Sequence, residues 1–157
     1  MKRYLLLLSG VVAVAAFAFP AAASAQSGHF VGTPTCTDIG TQLRCSGKVA
    51  GLGGTTFELT VEAEGIATVE CTNPGGNVAP GQDTAVDVSG STGPLPTPRN
   101  GQFRFSLTSD DPEPLPPTPT CPNNQWTPNI TDVTFGPATI SLFEDSTLSD
   151  QVTVPVQ

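Results

Sequence analysis

Basic residues are scarce in this sequence. Its 157 residues include six Lys and Arg against fourteen Asp and Glu, which gives a formal net charge of −8 at pH 7. Nucleic acid and anionic membranes are bound through basic surfaces, because their phosphates must be neutralised by cations. The overall charge therefore argues against both as partners.

Histidine is also nearly absent, and no C-x-x-C pair occurs. Structural zinc needs four closely spaced Cys or His ligands, and neither the four cysteines nor His29 fit such a pattern. A general base needs a fixed hydrogen-bond partner. His29 is poorly placed to have one, because it would lie close to the N-terminus of the exported chain. The glycine-rich stretch 51–55 lacks the lysine and helix of a phosphate loop. The sequence thus predicts a protein that is not an enzyme and has no cofactor.

Long apolar runs are missing except at the N-terminus. Lys2 and Arg3 precede an apolar stretch over residues 4–19, and Ala23-Ser24-Ala25 forms a small-residue cleavage site. This pattern is typical of a secretory signal peptide spanning residues 1–25, with an uncleaved membrane anchor as the alternative. Residues 26–157 would then form one secreted, extracellular domain with no membrane span, whose net charge is about −10 because both N-terminal cations are lost.

Helix signals are few, since sixteen glycines and sixteen prolines interrupt the chain at short intervals. Apolar and polar residues instead alternate over 56–63 and within 101–109, as in half-buried strands. Residues 131–135 and 138–143 are two more predicted strands, separated at Gly136-Pro137, and weaker candidates are 30–33, 43–49, 66–71, 85–88 and 151–156. Asn100-Gly101 predicts a tight hairpin turn. About eight or nine short strands favour an antiparallel, immunoglobulin-like β-sandwich, with a partly open β-barrel as the alternative.

Four cysteines in an exported chain predict two disulfides. Three pairings are open, and we favour Cys36–Cys45 with Cys71–Cys121. The first pair would bring two neighbouring strands together, and the second would tie a strand end to the far side of a proline-rich loop.

Two further features are candidate binding sites. Asp110, Asp111 and Glu113 lie in the proline-rich stretch 109–120 and form an oxygen-rich cluster that could bind calcium, although a solvated loop is the simpler interpretation. Trp126, the only tryptophan, could stack on a sugar or fill the rim of the core beside a disulfide. Glu58, Glu62 and Glu64 indicate a solvent-facing side of a strand or a strand end.

The segment from Cys71 to Asn77 reads C-x-N-x-G-G-N, and a later segment begins CPNNQW. With these features the chain resembles a set of small, uncharacterised exported proteins of actinomycete type, over roughly residues 30–154. The resemblance implies export, a β-rich fold and paired cysteines. It implies no substrate, because the group has no established activity.

Three functions are consistent with these features. The first is a secreted, non-enzymatic β-sandwich that binds an extracellular partner, such as the cell wall or a polysaccharide. The second is a carrier of a small ligand or carbohydrate. The third is a small secreted inhibitor or an enzyme.

Overall fold

A computed structural model describes residues 27–157, so the predicted signal peptide lies outside the described residues. The described chain consists almost entirely of β-strands. The elements are β1 (His29–Phe30), β2 (Thr35–Asp38), β3 (Leu43–Ala50), β4 (Thr56–Thr72), β5 (Val78–Pro80), β6 (Thr84–Ser91), β7 (Leu95–Pro96), β8 (Phe103–Thr108), α1 (Pro117–Thr120), β9 (Thr127–Glu144) and β10 (Thr147–Val154).

The smaller sheet, sheet A, is built around β3. Strand β8 pairs antiparallel with β3 from Arg44 to Val49. Strand β1 pairs with Val49 and Ala50 and strand β2 with residues 43–46 of β3, so the two follow one another along the edge opposite β8, separated by the loop 31–34. Sheet A is therefore three strands wide.

The larger sheet, sheet B, is built around two long strands. Strand β9 pairs with β4 from Phe57 to Thr72, and β10 extends the sheet beyond β9. Strands β7, β6 and β5 pair in turn with β4, so they follow one another along its other edge. Sheet B is therefore four strands wide.

The chain crosses between the sheets three times. It runs through β1 to β3 in sheet A, β4 to β7 in sheet B, β8 in sheet A, and β9 and β10 in sheet B. Val156 then forms a parallel bridge with Cys36 across the side of the sandwich. Two packed antiparallel sheets connected in this way form an all-β sandwich, as the sequence predicts, and the sheets do not close into a barrel.

Two pairs of predicted short strands are each one long strand. Strand β4 runs without a break from Thr56 to Thr72. Strand β9 continues through Gly136-Pro137, where a bulge shifts its register against β4 between Ala63 and Gly65. A bulge accommodates proline because the bulged residue makes no ladder hydrogen bond. A Cβ on Gly65 would lie 2.5 Å from a methyl carbon of Val133, so only glycine lets the two strands approach here.

The predicted hairpin at Asn100-Gly101 is wrong. Gly101 does adopt a positive φ of 61°, and its N–H donates to the Pro98 carbonyl. However, the turn lies between β7 of sheet B and β8 of sheet A, so it joins the two sheets rather than neighbouring strands.

Buried apolar side chains form two clusters, of which only the larger lies between the two sheets. The larger contains Phe57, Leu59, Ile140 and Leu142 of sheet B, packed against residues of sheet A such as Leu43. The smaller lies under the far end of β4 and includes Val69, Val133 and Cys121. Within residues 27–157 no helix is long and apolar enough to cross a membrane.

Both predicted disulfides are confirmed. Cys36 and Cys45 are directly opposite residues of β2 and β3, so this disulfide lies within sheet A. Cys71, near the end of β4, is bonded to Cys121, which follows α1. The second disulfide therefore fixes the long connection between β8 and β9 to sheet B, and all four sulfurs belong to buried residues.

Candidate binding faces

Within residues 27–157, the outward side of sheet A carries cations and hydroxyls and no carboxylate. Because side chains alternate along a strand, every second residue of β2, β3 and β8 points away from the core. We call this surface the cationic face, and its residues besides Ala50 are Thr35, Thr37, Arg44, Ser46, Lys48, Arg104, Ser106 and Thr108. It carries three of the chain's six basic residues.

Lys48 and Arg104 lie side by side on this face. They are directly opposite each other in the β3–β8 ladder, at a spacing that brings Cβ atoms to about 5 Å. Like charges at such positions destabilise a sheet. Among the described residues, no carboxylate forms an ion pair with either side chain. The two cations are thus adjacent and without a neutralising anion from this part of the chain.

A shallow cavity of about 440 Å³ opens beside this pair. Lys48 and Arg104 line it together with the hydroxyl-bearing Thr33, Thr35 and Ser46. The loop between β1 and β2 forms its wall, since Val31 lines the cavity and donates its N–H to the Lys48 carbonyl at 2.8 Å. The cavity thus combines two cations, three hydroxyls and one apolar wall.

Hydrogen bonds position other groups on the same face. The Arg44 Nε donates to Thr108 Oγ1 at 3.4 Å, which aligns the guanidinium along the sheet. The hydroxyls of Thr35 and Ser46 lie 3.3 Å apart. An arginine has five N–H donors, so Arg44 retains several for a ligand.

The outward side of sheet B has the opposite charge. No strand of this sheet contains Lys or Arg. We call it the acidic face, and its carboxylates are Glu58, Glu62, Glu64, Glu70, Asp87 and Asp132. The prediction that Glu58, Glu62 and Glu64 share a solvent-facing side of a strand is confirmed by their alternation with buried Leu59, Val61 and Ala63.

An open groove of about 570 Å³ crosses the acidic face. Glu62, Glu64 and Asp87 line it, and Gly136 and Pro137 of the β9 bulge form part of its rim. Glu64 and Asp87 are directly opposite in the β4–β6 ladder, which mirrors the Lys48–Arg104 pair with the sign reversed. Each outer face thus carries a pair of adjacent like charges.

One carboxylate of sheet B is buried and serves the fold. Glu144, at the end of β9, accepts hydrogen bonds from the N–H groups of Gly28, Gly53 and Gly54 at 2.7–3.1 Å and from the Ser149 hydroxyl at 2.5 Å. Burial by itself raises the pKa of Glu144, but these bonds to the ionised form outweigh it, so the pKa lies below its usual value of 4.5. Glu144 therefore joins the N-terminal segment, the β3–β4 loop and the β9–β10 hairpin.

The neighbouring Asp145 completes this junction. Asp145 and Ser146 form the two-residue turn between β9 and β10, with positive φ values of 45° and 67°. The Asp145 carboxylate accepts from the N–H groups of Thr56 and Thr55, which lower its pKa below the usual value. The turn residues thus hold the start of β4 as well as the hairpin.

Trp126 lies at the rim of the smaller cluster. It is half-buried and packs against the group that contains Cys121, Val69 and Val133. The structure therefore places it beside the Cys71–Cys121 disulfide, in the structural position that the sequence allows. Sugar stacking by Trp126 stays a prediction.

The loop that contains Asp110, Asp111 and Glu113 is exposed and tied to the sandwich. Asp111 accepts a 2.6 Å hydrogen bond from the Thr41 hydroxyl, and the Asp110 N–H donates to the Ser89 carbonyl. Within residues 27–157, no three His, Cys, Asp or Glu side chains come together in a geometry that could hold a metal ion. Calcium binding by this loop gains no support from the geometry and stays a prediction.

The segment from Cys71 to Asn77 forms a closed turn between β4 and β5. The Asn73 side chain accepts from the Asn77 N–H, and Gly76 adopts a φ of 82°. Comparison with protein-family models, curated protein sequences and solved structures finds no match to this chain. The resemblance to small exported proteins is therefore carried by the sequence motifs alone.

The cationic face was not predicted from the sequence, because only the net charge of the chain was considered and not how the charges are distributed between the two sheets. A usable signal was present, since Arg44, Ser46 and Lys48 alternate with the apolar or small Cys45 and Gly47 in one predicted strand. Arg104 occupies a polar position in another. What the sequence does not give is the β3–β8 pairing, which places Lys48 opposite Arg104.

Proposed function

We propose that this chain is an exported, non-enzymatic binding domain that attaches to an extracellular polysaccharide or cell-wall polymer through its cationic face. The observation that carries the proposal is the composition of that face: three cations, five hydroxyls and no carboxylate, in a chain rich in acids. Hydroxyls and guanidinium groups are suited to polyhydroxylated ligands because they supply many hydrogen bonds in a plane.

The size of the face favours a chain-like ligand over a folded protein. Strands about 4.8 Å apart with a rise of about 3.3 Å per residue give a three-stranded, six-residue face of roughly 300 Å². Stable protein interfaces bury about 800 Å² on each partner. A polymer chain lying along the strands needs no larger surface.

Export is supported by the N-terminal pattern and by the two disulfides, which persist in oxidising compartments. The absence of a catalytic constellation from the sequence motifs supports a binding role. A small-ligand carrier is the second candidate, and the groove on the acidic face favours it, since this groove is the larger of the two described cavities.

A sedimentation assay tests the proposal. Purified, oxidised protein is incubated with washed cell walls and a panel of insoluble polysaccharides, and the bound fraction is measured against protein concentration. We expect saturable binding to at least one material, lost in the variant K48E/R104E. Arg99→Glu is the matched control, because Arg99 is an exposed cation in the turn before β8 and outside the face. No sedimentation on any material would refute the polymer-binding role.

A further inference from the structure

The structure assigns an anion-binding subsite to Lys48 and Arg104, and we propose that its ligand is a linear polymer with repeated phosphate or carboxylate groups. This inference rests on the proposed function, since it names the group by which the face would hold an extracellular polymer. It concerns a smaller and more specific site than the face as a whole.

The pairing of two cations is the first argument. Lys48 and Arg104 are directly opposite in the ladder, where like charges are unfavourable in the empty protein. An anion placed between them would replace the repulsion with two charge-assisted contacts, which are the stronger class of hydrogen bond. The arginine adds planar, bidentate geometry that matches phosphate and carboxylate, and the lysine adds a flexible point charge.

The cavity beside the pair is the second argument. Thr33, Thr35 and Ser46 line it with hydroxyls that can donate to the remaining oxygens of an anion. Gly47 lies behind this floor, and a Cβ there would come within 2.9 Å of the Phe105 ring. The glycine thus leaves room for the Phe105 ring on the inner side of the sheet, behind the two cations.

A third cation indicates a polymer rather than a single ion. Arg44 is four residues from Lys48 on the same strand and on the same face, about 13 Å away. This separation is too long for one phosphate to bridge. It is a distance over which a linear polymer presents successive anionic groups, with Ser46 and Ser106 lying between the two positions.

The acidic face does not prevent binding of an anion. The two sheets of a sandwich are about 10 Å apart, and the side chains on the outside add to that distance. The Debye length at physiological ionic strength is about 8 Å, so the carboxylates on sheet B are largely screened from a ligand on sheet A. These carboxylates would instead disfavour binding of the anionic polymer to the acidic face.

Calorimetric titration of the oxidised protein tests the subsite with four probes: linear polyphosphate, polygalacturonate, inorganic phosphate and neutral dextran. We expect one or both anionic polymers to bind at low salt and inorganic phosphate to bind more weakly. The polymer that binds identifies phosphate or carboxylate as the source. K48Q/R104Q should weaken binding at least about tenfold, and Arg99→Gln by no more than about twofold. Circular dichroism of each variant verifies the fold.

Several outcomes would overturn the subsite. These are equal affinity of the wild-type protein and K48Q/R104Q, no binding of either anionic polymer, or inorganic phosphate binding as tightly as the polymers. Salt-sensitive self-association in sedimentation velocity without polymer binding would identify a second copy as the occupant and overturn it as well. Wall binding that survives in K48Q/R104Q would leave the proposed function standing while the subsite fails. Polymer binding without wall binding would leave the subsite standing while the proposed function fails.

Discussion

The two outer faces of this sandwich share one architecture and carry opposite charge. Each is an antiparallel sheet surface on which a pair of like charges sits in directly opposite positions, Lys48–Arg104 on sheet A and Glu64–Asp87 on sheet B. The net charge of −8 therefore does not predict the charge of either face. An acidic protein can present a cationic surface when strand pairing collects its few basic residues.

The faces also differ in how much of the surrounding structure supports them. Sheet B has two strands of 17 and 18 residues, whereas the longest strand of sheet A has eight. Sheet A instead has a disulfide within its own ladder. The disulfide of sheet B lies outside its ladder and joins β4 to the connection before β9.

The largest expected effect concerns the two disulfides. Chain-entropy arithmetic gives about 4 kcal/mol for the loop closed by Cys71–Cys121 and about 2.7 kcal/mol for the loop closed by Cys36–Cys45. Urea unfolding of C71S/C121S should therefore show the larger loss of stability. C36S/C45S is the matched comparison. Equal losses would mean that local packing, not loop length, determines what each disulfide contributes.

Glu144 is a buried carboxylate that stabilises the fold, whereas the carboxylates of the acidic face are exposed to solvent. Glu144→Gln should cost about 2 to 3 kcal/mol, because one acceptor oxygen becomes an NH2 group that faces N–H donors and the other loses its charge, in a buried site. Glu64→Gln, on the acidic face, should cost nothing measurable. Thermal unfolding of both variants at pH 7 gives the comparison, and similar losses would contradict it.

The same residue predicts how stability depends on pH. The pKa of Glu144 is lowered by folding, so its contribution is fully present above the usual value of 4.5 and is lost as the pH falls through the folded pKa. The melting temperature of the wild-type protein should therefore fall below about pH 4.5. Glu144→Gln should flatten this part of the profile, and an unchanged acid slope would show that other carboxylates account for it.

Trp126 tests whether the end of sheet B with the second disulfide takes part in binding. Trp126→Ala should destabilise the protein by about 2 kcal/mol, less than a fully buried tryptophan, because the side chain is half-buried. Polymer binding to the cationic face should not change. Lost binding with intact circular dichroism would instead support sugar stacking by Trp126.

The smallest expected effect distinguishes the two like-charge pairs most clearly. Arg104→Glu and Glu64→Lys each turn a repulsive cross-strand pair into an attractive one, so each should stabilise the protein by roughly 0.2 to 1 kcal/mol. Only Arg104→Glu should weaken polymer binding. A variant that gains stability while losing binding would mark the site as one retained for function.

Much of the fold could be predicted from local patterns. The alternation of Phe57, Leu59 and Val61 with charged and hydroxyl residues determines which side of β4 is buried, and this needs no knowledge of the neighbours. The disulfide pairing could be predicted because four cysteines allow only three pairings. The continuity of β4 through Gly65 and of β9 through Gly136 could not be predicted, since a glycine inside a strand and a glycine that ends a strand look the same in sequence.

The candidate site was less predictable because it depends on register. Lys48 and Arg104 are 56 positions apart in the chain, and only the β3–β8 ladder makes them neighbours. The role of Glu144 was equally hidden, since its partners Gly28 and Gly53 come from two distant loops. The turn at Asp145-Ser146 carried a weak signal, because Asp tolerates positive φ.

The most direct test of wall binding through the cationic face reverses the charges of one face at a time. Sedimentation with washed cell walls would compare the wild-type protein with K48E/R104E and with E62K/E64K, at low salt and at physiological salt. Our account predicts that K48E/R104E loses binding, that E62K/E64K keeps it, and that binding of the wild-type protein weakens as salt rises. Loss of binding in E62K/E64K alone would contradict the account and assign the function to the acidic face.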